Sequence, residues 1–135
     1  MSKAREKMFQ MAFEARQQAY SPYSHKLVGA CVLMDDGEMY AGCNVENASY
    51  GATICAERVA ITKAISEAMS RRIQEILVVT DAEKPWPPCG MCRQVIGEFA
   101  LHDTLVHVQN LQGQGRTFLF AELFPEGFSP VYLQK

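Results

Sequence analysis

The chain has 135 residues, of which 48% are apolar and 21% charged, with a formal net charge of -2. That is the size and balance of a single globular domain, residues 1–135, able to bury a core and without long disorder. A slightly acidic chain offers no phosphate-binding surface, so no nucleic-acid partner is expected, and no apolar run approaches a membrane span, so no membrane partner is expected either. The first twenty residues are charged throughout and lack the apolar block of a signal peptide. Five cysteines, an odd number, stand at Cys31, Cys43, Cys55, Cys89 and Cys92. With no export signal they point to a reducing, cytoplasmic location, where paired cysteines serve metal or redox chemistry more often than structural disulfides.

Residues 3–19 carry Ala4, Met8, Met11, Ala12, Ala15 and Ala19 at helical spacing, which predicts a helix stopped by Pro22. Residues 28–34 are a nearly unbroken apolar run, too short for a helix and right for a buried strand. Asp35-Asp36-Gly37 is a hairpin signal, with residues 39–43 as the returning strand. Residues 44–54 are small and polar, a loop long enough to be functional. Residues 55–69 predict a helix that is apolar around most of its girth and covered on both sides. Residues 73–80 contain Ile76-Leu77-Val78-Val79, a strong buried-strand signal. A loop with three prolines spans 81–88, a third helix 89–100, and short strands 105–108 and 117–120 flank the Gly113-Gln114-Gly115 turn. A last helical turn is expected at 121–124. Helices between strands imply crossovers and a sheet covered on both faces.

Two stretches carry chemistry. Cys89 and Cys92 are three apart at a predicted helix start, so both sulfurs can reach one metal. A helix N-terminus also favours the thiolate form. Alone, this Cys-x-x-Cys is as consistent with a thiol-disulfide oxidoreductase as with a metal site, and Trp86 just before it is also what a thioredoxin-like motif shows. Cys55 at the start of another helix completes a three-thiolate set that leaves the fourth tetrahedral position open for water. Glu57, two residues on, leans toward the same helix end; read alone, it is a carboxylate that complements the helix dipole. Cys31 and Cys43 read as small strand residues of the core. Cys43 as a fourth ligand would instead make a closed, non-catalytic zinc module. His25, His102 and His107 lack paired spacing. Three thiolates and a divalent cation sum to a net negative charge, which Arg58 could offset by bonding a sulfur, as Arg93 could also.

The segments Cys55-Ala56-Glu57-Arg58 and Pro88-Cys89-Gly90-Met91-Cys92-Arg93-Gln94 resemble the small zinc-dependent cytidine deaminases. The likeness extends in order to Val28-Gly29-Ala30, to the 42–48 stretch with Asn44, Glu46 and Asn47, and to the 122–128 tail. This resemblance implies a three-layer α/β/α sandwich around a five-stranded mixed sheet, with one Zn2+ per chain on Cys55, Cys89 and Cys92. It implies that Glu57 shuttles protons while cytidine or deoxycytidine becomes uridine or deoxyuridine and ammonia, a step of pyrimidine salvage. Asn44 and Glu46 match residues that bond the ribose hydroxyls. Phe128 and Tyr50 match positions that reach a neighbour's site in a homotetramer with shared active sites. One departure stands out: the family usually carries phenylalanine in the pocket where this chain has Lys26. A wider, wetter pocket is expected there unless Leu27 fills the space, and the alternative substrate is a modified or bulkier cytosine nucleoside.

Overall fold

The computed structural model describes residues 2–134. The first helix, α1, spans Lys3–Arg16. It opens on Ser2, whose hydroxyl accepts the Arg5 N–H at 3.1 Å. The apolar stripe continues to Ala19, but the helix stops at Arg16. Residues 17–19 tighten into three-residue hydrogen bonds, and Tyr20 leaves to pair with the 44–46 segment through bonds of 3.0 and 2.8 Å. A long-range pairing therefore ends the helix before Pro22 is reached.

Strands β1 (Val28–Met34) and β3 (Ile73–Thr80) lie where the apolar runs place them, and β2 (Met39–Cys43) where the hairpin signal places it. Helices α2 (Ala56–Glu67) and α3 (Gly90–Phe99) are each shorter than predicted. Strand β4 runs Ala100–Gln109, well before the expected start at 105. Its early half carries exposed His102 and Asp103, which hide the pattern. Thr104 holds that half in place: its hydroxyl accepts the Leu101 N–H at 2.7 Å and donates to the Ile73 carbonyl at 2.6 Å. Strand β5 (Gly115–Leu119) ends where the Glu122 carboxylate takes the Leu119 N–H and the chain enters α4 (Phe120–Leu123). Short 3-10 turns cover Tyr50–Ala52 and Pro130–Leu133.

The sheet order is β2-β1-β3-β4-β5. Only β3 and β4 are parallel; the other neighbours are antiparallel, so the sheet is mixed and five-stranded. Alternate residues face opposite sides. Ala30, Val32, Ile76, Val78, Val106 and Val108 pack under α2, α3 and α4. Cys31, Leu77 and Val79 pack under Met8 and Ala12 of α1. The three layers are thus one helix, the sheet, and the helices that carry the cysteines. No described helix is long and apolar enough to cross a membrane.

Two glycines set how closely the layers approach. A Cβ on Gly29 would lie 1.9 Å from the Ala12 carbonyl oxygen of α1, and one on Gly42 would lie 2.6 Å from the Ala60 nitrogen of α2. Backbone cannot yield as a side chain can, so both helices rest on glycine. Gly29→Ala is expected to destabilise the fold by about 3 kcal/mol, the upper end for overpacking. Gly51→Ala, where a Cβ meets nothing within 4 Å, should stay within about 0.5 kcal/mol of the parent. Denaturant melts of the two variants measure both; equal midpoints would contradict the close contact.

Candidate active site and metal centre

Cys55 and Cys89 are the N-cap residues of α2 and α3, both in extended conformation, and Cys92 lies in the first turn of α3. Neither cap side chain hydrogen-bonds its own helix, so both thiols remain available to a ligand. The three sulfurs all lie within 4.8 Å of one another, and those of Cys55 and Cys89 are 3.8 Å apart. A tetrahedral zinc with Zn–S bonds of about 2.3 Å places its sulfurs about 3.8 Å apart, so the spacing fits that ion. All five cysteines are free thiols. Cys43 is not in the cluster; it lies on β2 beside Met11 and Lys63. The closed four-cysteine module is therefore excluded among the described residues, and the set keeps an open position. Cys31 is a core thiol that burial pushes up to about 12.

The charge on the sulfurs is arranged by their neighbours. Hydrogen bonding from the Cys92 thiol, aided by Arg58 and Cys89, lowers the Cys55 thiol to about 5, against the opposing effect of burial. The same Cys55 contact, with burial, raises Cys92, so the two titrate as a pair. A divalent cation displaces protons from such a group, which is why thiolate sites bind metal more tightly as pH rises. Arg58 Nη2 lies 3.7 Å from the Cys55 sulfur and 3.3 Å from the Thr53 carbonyl. Arg93 turns elsewhere: it donates to the carbonyls of Pro88 at 2.8 Å and Leu123 at 2.7 Å, tying the cysteine loop to α4. Among the described residues, no histidine belongs to the metal cluster. His107 is buried in the sheet between Glu75 at 2.6 Å and Thr117 at 2.8 Å.

Glu57 sits in the first turn of α2 and is only 5% exposed. Burial pushes its carboxyl up to about 7. It lines a cavity of about 250 Å³ together with Cys55 and Cys89. Lys26, Asn44 and Glu46 line the same cavity, so five of the residues singled out from sequence join Glu57 there. The 44–46 loop is held by its own polar groups. Asn44 accepts the Val28 N–H at 2.9 Å and donates to the Lys26 carbonyl at 2.8 Å. The Glu46 carboxylate takes the N–H groups of Tyr23 and Ser24 at 3.0 and 3.1 Å and the Ser24 hydroxyl. These bonds, the Ser24 hydroxyl first, hold Glu46 below its ordinary value and keep it charged. Lys26 lines the cavity and Leu27 does not; Leu27 faces a second hollow beside Arg16 and Asp81.

Two of the singled-out substrate-binding residues stay outside. Tyr50 is 74% exposed, packs edge-on against Tyr23 at 5.7 Å, and lines an adjoining hollow with Glu46 and Thr53. Phe128 is 55% exposed, stacks on Tyr132 at 5.8 Å, and lies near Gly97 and Phe120. Among the lining residues that sequence reading did not single out are Ser24, whose bonds orient Glu46; Thr80, whose buried hydroxyl has no hydrogen-bond partner among the described residues; and Trp86. Each belongs to a loop or strand end, and no local spacing announces it.

A family model, the cytidine and deoxycytidylate deaminase zinc-binding region, matches residues 2–108. The cytidine deaminase of Halalkalibacterium halodurans is 48% identical over 93% of this chain and 94% of its own length. That of Sporosarcina psychrophila is 46% identical over 92% and 90%. The crystal structure of cytidine deaminase from Burkholderia pseudomallei superposes with a TM-score of 0.86 at 40% identity, covering 95% of this chain and all (100%) of that one. The enzyme from Mycobacterium tuberculosis gives 0.79 at 35% identity over 92% and 96%. With a zinc-fitting sulfur triad inside the matched residues, the chain belongs to the cytidine and deoxycytidylate deaminase family of zinc-binding proteins.

Proposed function

We propose that this protein is a zinc-dependent hydrolase that converts cytidine and deoxycytidine to uridine and deoxyuridine with release of ammonia. The observation that carries this reading is the buried carboxylate of Glu57 in the same cavity as Cys55 and Cys89, with Asn44 and Glu46 on its wall. Zinc, when held by Cys55, Cys89 and Cys92, supplies a water that ionises near neutral pH. Glu57 takes a proton from the attacking water on a carboxylate oxygen and delivers it to the pyrimidine ring nitrogen; it then takes the proton of the hydroxyl added to the ring carbon and passes it to the departing amine, which leaves as ammonia. Arg58, within reach of the Cys55 sulfur, offsets the excess negative charge of three thiolates. The anchored carboxylate of Glu46 and the Asn44 amide bond the sugar hydroxyls.

Two finer points belong to the same reading. Tyr50 and Phe128 are exposed rings outside their own cavity, which supports a homotetramer in which each reaches a neighbour's site. Reduced thiols support a cytoplasmic location. A bulkier cytosine nucleoside is a second substrate reading, favoured by the exposed, flexible Lys26 on the cavity wall.

Cys55→Ser, Cys89→Ser and Cys92→Ser should each lose the one zinc per chain and much stability, because metal binding is coupled to folding. Cys31→Ser and Cys43→Ser should keep it. Elemental analysis of the purified variants decides, and zinc lost from Cys43→Ser but kept in Cys55→Ser would overturn the ligand set.

Glu57→Gln should keep zinc and fold while turnover falls by about 10²–10⁴-fold or more. Mixing it with Phe128→Ala should regain activity, since some interfaces then pair an intact Glu57 with an intact Phe128. No recovery after confirmed subunit exchange would mean self-contained sites.

Glu46→Ala should lower kcat/KM for cytidine by about a hundredfold or more, because a sugar hydroxyl then lacks its partner. Free cytosine should be a very poor substrate of the unsubstituted protein. Ammonia assays on both compounds test this, and efficient cytosine turnover would contradict a sugar-reading loop.

A further inference from the structure

We propose that Trp86 is the aromatic wall of the nucleoside pocket, stacking its indole on the pyrimidine ring and setting how tightly substrate is held. This rests on the cytosine-nucleoside reading above. Among the described residues lining the cavity, Trp86 is the one aromatic; the remaining apolar surface comes from aliphatic groups such as Val28, Val78 and Pro87. A planar base gains most from a π face, because base–aromatic stacking needs no hydrogen-bond match.

The ring is also only partly covered by the rest of the fold. Trp86 is 44% exposed. Tyr23 pairs with Tyr50 and Phe128 with Tyr132, whereas Trp86 is in none of the described ring pairs. An indole left half bare on a cavity wall is apolar area that a bound base would cover.

Its backbone is stiffened in advance. Pro85 precedes it, and Pro87 and Pro88 follow. Each proline fixes its own φ, and a residue before proline is confined to extended conformations. The segment is tied down by the Arg93 bond to the Pro88 carbonyl and ends at Cys89, the cap of α3. Little loop entropy is left to lose on binding, which favours affinity. Trp86 also lines the neighbouring hollow with Arg16, His25, Lys26 and Asp81. Trp86 therefore borders both that polar hollow and the reaction cavity.

The test exploits the fact that the chain has a single tryptophan. In the zinc-loaded Glu57→Gln protein, cytidine binds without turning over, so tryptophan emission can be titrated directly and compared with calorimetry. Saturable quenching at the calorimetric Kd is expected. In the same background, Trp86→Phe should stay close to the parent, while Trp86→Ala and Trp86→Leu should weaken cytidine binding about tenfold, or about 1.4 kcal/mol. In the otherwise unsubstituted enzyme the same loss should fall in KM rather than kcat. Zinc content and melting temperature confirm that each variant is folded, and Trp86→Phe keeps the test open if the smaller residues are not. Emission that ignores bound cytidine, an unchanged Kd in Trp86→Ala, a weakened Trp86→Phe, or Trp86→Leu binding as tightly as Trp86→Phe would each overturn stacking. If the unsubstituted protein releases no ammonia from cytidine, the substrate reading itself fails and takes the proposal with it. If it does release ammonia and the variants bind equally well, only the role of Trp86 fails.

Discussion

Cys55 and Cys89 cap two helices that are separated by a strand and a proline-rich loop, yet their sulfurs lie 3.8 Å apart. That convergence is the constraint the rest of the structure serves. Three thiolates cannot be gathered without a compensating charge, because like charges at this distance repel strongly in a partly buried setting. The fold brings two positive helix ends and the Arg58 guanidinium to the same point. A divalent cation completes the balance and turns the repulsion into coordination, so metal binding and folding are coupled.

The helices can meet there because they lie close on the sheet beneath them. Gly42 lets α2 rest on the backbone of β2, and Gly29 does the same for α1 on β1. Ala30, Val32, Val78 and Val108 then fill the layer under α2 and α3 with small and branched side chains. β3 ends at Thr80, and the chain returns through Trp86 to Cys89. The cavity therefore opens beyond the carboxyl end of a central strand, where α/β sheets commonly place ligands.

Polar groups around the cavity work mainly on each other before any ligand arrives. Asn44 latches the start of β1, and Ser24 and Tyr23 hold Glu46. Such anchoring keeps Glu46 charged and fixed in direction. A site prepared in this way loses less entropy on binding than one assembled by the substrate. Glu57 is the opposite case: a carboxyl buried beside the sulfurs, pushed up to about 7 by that burial.

The sequence by itself determined the candidate sulfur donors and most of the frame. Cys-x-x-Cys spacing, a third cysteine near a glutamate, apolar runs over β1 and β3, and the hairpin turn before β2 are local signals, and local spacing is what a helix or strand turns directly into geometry. Only the tertiary structure decided where α1 stops, because Tyr20 pairs with residues 44–46, far along the chain. The same holds for the early half of β4, stabilised through Thr104 by Ile73. It also decided that Cys43 stays out of the metal cluster, that Arg58 faces sulfur while Arg93 faces backbone carbonyls, and that Trp86 lines the cavity. Those outcomes depend on which residues distant in sequence become neighbours in space, and no periodicity within one segment encodes that.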